Sequence, residues 1–311
     1  MKPISIIEAP LSVGIGLAGT ELMARTLVDK GLANRLRAEV VDGPGIADWP
    51  WVADPETGVP SPRDIGIWLC KLGTNVEREI RRQRFPVVLG GDCTVLLGSM
   101  LGAKRTGAGG LLFIDGHTDY SVPGVRQDVR EPEWEPETAS MDLALVTGKG
   151  KPDNLAKLDP AGPLVCEEST AVFGFRDEEQ IANLGSSGPG AAGILCLSLA
   201  DVRYKGFGTA SAAALARAQA SGRPFWIHLD LDVLDDAVMP ANDHRLMDGL
   251  SIGEVVALVR RALATGHAAG INVTIFNPDL DWDGSIAQRI VDMLTAALTP
   301  PLPAAERAVN P

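Results

Sequence analysis

The chain has 311 residues, 45% hydrophobic and 22% charged, with 28 Lys and Arg against 40 Asp and Glu for a formal net charge of -12. That length accommodates one large α/β domain or two small ones. No basic run is available to neutralise phosphates, which argues against nucleic acid and anionic membranes as partners. No stretch approaches the ~18 consecutive apolar residues of a membrane span.

Cys70, Cys93, Cys166 and Cys196 are scattered and form no Cys-x-x-Cys pair. The expected compartment is therefore the reducing cytoplasm, not one that favours a disulfide framework. Residues 1–8 carry no signal-length apolar run.

In chain order, residues 4–7 read as a first strand, 19–37 as a helix and 38–41 as a second strand. Residues 42–63 are rich in Gly, Pro and Asp and include Trp49 and Trp51, so a folded, pocket-lining loop is expected. A helix over 64–83 leads to a strand over 85–89, then Gly90-Gly91-Asp92-Cys93-Thr94 and a helix over 95–104. The apolar run 111–114 passes directly into Asp115, His117 and Asp119. A polar loop over 121–138 contains Glu131, Glu133, Glu135 and Glu137, an acidic lid able to steer a cationic substrate. Helix resumes over 140–146, followed by a strand at 171–175, a short helix at 178–183, a strand at 193–197 and a helix at 211–219. A second apolar strand from Phe225 ends in Asp230 and Asp232. A loop (236–249), a helix (252–264), a strand (269–276) and a helix (283–298) complete the pattern, and residues 300–311 are expected to fray.

Strands alternating with helices predict an α/β fold, a mostly parallel sheet with helices on both faces. No internal repeat or composition break divides the chain, so a single domain over 1–311 is expected. Ligands of such folds bind beyond the carboxyl ends of the strands, where the Asp and His residues fall. Residues two apart on an extended strand share a face, which pairs Asp115 with His117 and Asp230 with Asp232. Many oxygen donors with few nitrogens suit Mn²⁺ and leave Zn²⁺, Fe²⁺ or Co²⁺ open. Carboxylates bridging two cations about 3.5–4 Å apart would generate a hydroxide and stabilise an attacked trigonal carbon. A metal-dependent hydrolase follows.

Three segments carry a family resemblance: Gly90-Gly91-Asp92-Cys93-Thr94, Asp115-Gly116-His117-Thr118-Asp119, and His228 through Asp236, His-Leu-Asp-Leu-Asp-Val-Leu-Asp-Asp. Fainter echoes are Gly174-Phe175-Arg176-Asp177, Gly249-Leu250-Ser251 and Asn277-Pro278. The chain resembles the ureohydrolases, the arginase and agmatinase superfamily. The resemblance implies a three-layer α/β/α arginase-like fold with about eight strands and a binuclear manganese site. Asp115 and Asp230 would bridge the ions, Cys93 and Asp119 would complete the first, and His117 and Asp232 the second. Asp119 would also orient the attacking hydroxide, and Asp92 and Asp235 would hold the ligand strands. A small cationic guanidino or amidino substrate and a homo-oligomer, trimer or hexamer, are implied too.

The chain departs from that pattern at informative places. The first-motif histidine is Cys93, which can bind the first metal, bind another metal or line the pocket. The proton-shuttling histidine falls at about Ala139-Ser140, and the guanidinium-gripping glutamate close to Ile275. His244, in the altered loop 241–245, is a candidate general acid or base, or a surface histidine. His228 reads as a satisfied core histidine, and Cys70, Cys166 and Cys196 as small core residues. Asp281 and Asp283 either reach the site mouth or cap a helix.

The expected reaction is cleavage of a linear C–N bond in a guanidino, hydroxyguanidino or amidino compound, by attack of metal-bound hydroxide, releasing urea or an analogue. A single-metal amide hydrolase of deacetylase type and a non-catalytic binding subunit are the competing readings.

Overall fold

A computed structural model describes residues 2–47, 49–50, 52, 54–55, 59–122, 137–151, 153–179 and 188–299. These form one eight-stranded sheet: β1 (Ile4–Ala9), β2 (Glu39–Val41), β3 (Phe85–Gly90), β4 (Gly110–Ile114), β5 (Thr170–Phe173), β6 (Leu195–Leu197), β7 (Phe225–Asp230) and β8 (Ala268–Thr274). The order is β2-β1-β3-β8-β7-β4-β5-β6, and every pairing is parallel. Every residue of β3, β4 and β7 is buried, as strands covered on both faces require.

The described helices are α1 (Met23–Asp29), α2 (Leu32–Leu36), α3 (Pro62–Arg81), α4 (Val95–Arg105), α5 (Asp142–Val146), α6 (Asp153–Ala156), α7 (Leu199–Lys205), α8 (Phe207–Ala218), α9 (Ile252–Ala264) and α10 (Ser285–Leu298). Strand alternation sends side chains to two separate cores. Leu112 and Ile114 of β4 and Ile227 and Leu229 of β7 join the core under α1, α8, α9 and α10. Leu111 and Phe113, with Trp226, join the core under α3 and α4. The result is a three-layer α/β/α arrangement.

The strand order places the carboxyl ends of β3, β8, β7 and β4 side by side, so their loops converge. Gly91 lets the loop after β3 touch the loop after β1. A Cβ there would lie 1.8 Å from the Leu11 carbonyl oxygen, while the Gly91 N–H donates to Ala9 O (3.2 Å) and Gly91 O accepts from Ile275 N–H (2.8 Å).

Several expectations change. The helix expected over 19–37 is interrupted at Gly31, whose φ of 91° is left-handed, leaving α1 and α2 as separate pieces. Helix α7 lies between the strand expected at 193–197 and the helix expected at 211–219, and Ser198 caps it by accepting the Asp201 N–H (3.2 Å). Trp49 packs against the core as expected. Trp51, the acidic residues Glu131, Glu133 and Glu135, residues 180–183 of the expected short helix and the tail 300–311 lie outside the described residues.

Candidate metal centre

The site is made by two like turns on neighbouring strands. Strand β4 stops at Ile114 because the Asp115 carboxylate accepts the His117 N–H (2.6 Å). Strand β7 stops at Asp230, whose carboxylate accepts the Asp232 N–H (2.7 Å). An aspartate that captures the amide two residues on closes a turn in place of the ladder. Asp115/His117 and Asp230/Asp232 are therefore not same-face pairs on extended strands, as alternation suggested. They converge through these turns. Asp232 joins the two by accepting the Gly116 N–H (2.9 Å) and pairing with His117 Nδ1 (2.8 Å).

Cys93, in the turn after β3, places Sγ 2.6 Å from Asp230 Oδ2, and Thr274 at the end of β8 donates to the same oxygen (3.1 Å). Among the described residues, donor atoms of Cys93, Asp115, His228 and Asp230 lie within 4.8 Å of one another, and so do those of Asp115, His117 and Asp232. The two groups share Asp115. Asp119, half-buried at a left-handed φ of 42°, belongs to neither group but feels Asp232 and Asp230 electrostatically.

His228 is excluded from the ligand set by its hydrogen bonds. Indole nitrogen only donates, so the Trp226 Nε1–H fixes Asn272 Oδ1 as its acceptor (2.7 Å). The Asn272 amide nitrogen then donates to His228 Nδ1 (2.7 Å). The ring proton must sit on Nε2, which points at Asp115 Oδ2 (3.4 Å). The ring is fully buried and stacked on Phe113, and burial pulls its pKa down to about 3, so it is neutral. It is the core histidine expected, with Nδ1 hydrogen-bonded and Nε2 left without a hydrogen-bond partner.

The electrostatics fit a cation site. Burial, then neighbouring carboxylates, pushes Asp115, Asp119 and Asp230 well above the carboxylate range. Burial acts the same way on Asp232, yet the attraction of His117 overrides it and brings the pKa to about 2. Burial disfavours protonated His117, but Asp232 wins and raises it to about 9. Burial and the adjacent Asp230 raise the Cys93 thiol. Oxygen Oδ2 of Asp115 has no hydrogen-bond partner. Buried carboxylates lacking protein cations are costly, and metal ions reverse that balance.

The remaining candidates divide. His244 stands at the mouth, 6.3 Å edge-on from the His117 ring, with Nε2 3.1 Å from Glu137. That hydrogen bond raises its pKa. Asp92 accepts Gly14, Ile15 and Thr94 N–H (2.8, 3.2 and 2.9 Å), pinning the loop after β1. Asp235 accepts the Ala237 N–H (2.9 Å) and shapes its own turn without holding a ligand strand. Asp281 accepts the Ile286 and Ala287 N–H groups at the start of α10, and Asp283 that of Ser285, so both are helix-cap residues. Cys166 is exposed, not a core residue, because it lies outside the strand at the turn before β5; Cys70 and Cys196 are partly buried.

Three supporting residues went unassigned in the sequence. Asp177 accepts the Thr118 N–H and hydroxyl (both 3.0 Å). Arg176 donates to the Asp232, Leu234 and Leu246 carbonyls (2.8, 3.3 and 3.2 Å). Asp142 is fully buried, and its signal was a lone acid inside the apolar run Met141 to Val146.

Comparison with known proteins agrees with this geometry. The description "Arginase family" matches residues 3–299. Human arginase-1 is 25% identical over 291 residues, covering 90% of this chain and 86% of that protein. The arginase of Eremothecium gossypii is 25% identical, covering 90% and 70%. Among solved structures, the Bacillus caldovelox arginase superposes with a TM-score of 0.83 at 22% identity, covering 97% of this chain and all of that one. Formimidoylglutamase from Bacillus subtilis gives 0.70 at 17% identity, covering 96% and 86%. The proclavaminate amidino hydrolase of Streptomyces clavuligerus gives 0.67 at 14%, covering 96% and 91%. The chain is a member of the arginase family, within the ureohydrolase superfamily.

Proposed function

We propose that the protein is a binuclear, manganese-dependent hydrolase that cleaves a linear C–N bond of a guanidino, hydroxyguanidino or amidino compound, releasing urea or an analogue. The observation that carries this is the pair of donor groups sharing Asp115 at the ends of β4 and β7. A shared carboxylate between two groups favours two ions over one, and so disfavours the single-metal amide hydrolase. Cys93, Asp115, Asp119 and Asp230 would hold the first ion, and Asp115, Asp230, His117 and Asp232 the second. When bound, the ions would supply an activated water and stabilise the oxygen added to the attacked carbon.

The chain's own residues would do the rest. The Asp119 carboxylate orients the attacking water. His244 carries a proton on Nε2, held by Glu137, and delivers it to the leaving amine. His228 turns Nε2–H toward Asp115 Oδ2, 3.4 Å away. Ile15, Cys93, Ala139 and Ile275 form one buried apolar cluster. Ile275 stands where the family's guanidinium-gripping glutamate is expected, and the substrate presents an apolar flank there. This reading points away from plain arginine. The solved structures of formimidoylglutamase and proclavaminate amidino hydrolase share the fold, and a fold alone does not choose a substrate. A homo-oligomeric, cytoplasmic enzyme completes the proposal.

The test is metal analysis of protein purified without chelator, with urea and ammonia release followed over a panel of guanidino and amidino compounds after Mn²⁺ loading. Bound metal and turnover of an apolar-flanked member are expected. No metal and no turnover across the panel would overturn the proposal.

A further inference from the structure

Asp142 opens α5 with neither carboxylate oxygen hydrogen-bonded and no exposure to solvent. It is not a helix cap. The Leu143 N–H beside it is spent on the Asp119 carbonyl (3.1 Å), which also fastens the first turn of α5 to the ligand loop. No described Lys, Arg or His pairs with Asp142. Its charge acts instead on Cys93, Asp119 and Asp230.

Position agrees with electrostatics. Ala139 and Asp142 are three apart across a tight helical turn, a spacing that stacks side chains on one face. Ala139 shares a buried cluster with Cys93. Asp142 is therefore on the side of α5 that meets the Cys93 corner. The ions suited to this carboxylate-rich site are hard, and a thiol is a soft donor.

We propose that Asp142 is an additional oxygen ligand of the ion held by Cys93, Asp115, Asp119 and Asp230, supplying the hard anionic donor that Cys93 lacks. This rests on the metal-centre reading above. It assigns an unpartnered buried carboxylate the one role that balances its charge.

The test is Mn²⁺ binding to the full chain, by titration calorimetry and metal analysis, for wild type and Asp142→Asn. The wild-type arm alone decides whether a metal is bound, and absence of binding there removes the metal-centre reading and this proposal with it. Given wild-type binding, Asp142→Asn should bind Mn²⁺ at the affected site ~10–100-fold more weakly. The chelator-treated variant should melt above chelator-treated wild type, because an uncompensated buried charge has been removed. That second reading shows that the variant folds. Unchanged affinity and stoichiometry in a folded Asp142→Asn protein would overturn the proposal.

Discussion

The buried series Trp226, Asn272 and His228 shows how single donors and acceptors orient a ring whose Nε2 faces Asp115. Asn272 partners both of its neighbours, so its truncation strands two groups. Asn272→Ala leaves the Trp226 N–H and His228 Nδ1 unsatisfied and should cost about 2–4 kcal/mol, readable by urea unfolding of chelator-treated protein. The same ring gives a signed pH effect. His228 falls from 6.5 to about 3 on folding, so the unfolded chain binds more protons between those values. The neutral ring's contribution is complete above pH 6.5 and is lost as pH falls toward 3. Lowering pH from 7 to 4 should therefore destabilise wild type more than His228→Gln. Equal losses would contradict the tautomer and burial assigned here.

At the scale of elements, much of the fold was legible because local signals agreed with tertiary ones. Helix α9 begins and ends as read: Ser251 and Glu254 form a reciprocal capping box, and an apolar stripe follows. The strands that carry the site were visible as apolar runs ending in acids. Their ends were misread because alternation applies only while the strand lasts, and Asp115 and Asp230 terminate their strands with their own side chains. Asp142 escaped for a different reason. Its charged neighbours, Cys93, Asp119 and Asp230, come from distant parts of the chain, and no local spacing announces them. Gly91 tests how far the site depends on close backbone approach. Gly91→Ala would drive a Cβ to 1.8 Å from the Leu11 carbonyl oxygen, which is main chain and cannot swing aside. A loss of about 2–3 kcal/mol in thermal or urea unfolding is expected, together with weaker Mn²⁺ binding because Cys93 is two residues on. An Ala variant with wild-type stability and affinity would show that the turn has room to move.

For the whole molecule, stability and metal occupancy should be one linked equilibrium. Folding buries Asp115, Asp119, Asp142 and Asp230 and raises the pKa of each, chiefly by desolvation; Asp92 rises to about 6 for the same cause. A raised carboxyl pKa gives stability that is complete below the unfolded value near 3.8 and is lost as pH rises through the folded value. His228 has the opposite sign but exerts its effect below pH 6.5. Chelator-treated protein should therefore weaken as pH rises above about 6. Divalent ions held by the folded cluster would counter this, since they would compete with protons for the same oxygens. At an ion concentration of 100 times Kd the gain is about 2.7 kcal/mol. The Mn²⁺-induced rise in Tm should accordingly grow from pH 5.5 to pH 8, and Asp115→Asn, which removes the carboxylate common to both donor groups, should abolish most of it. Differential scanning calorimetry at the two pH values, with and without Mn²⁺, reads this directly. A Tm shift that is absent, or equal at both pH values, would mean that the buried carboxylates are not what the ions neutralise.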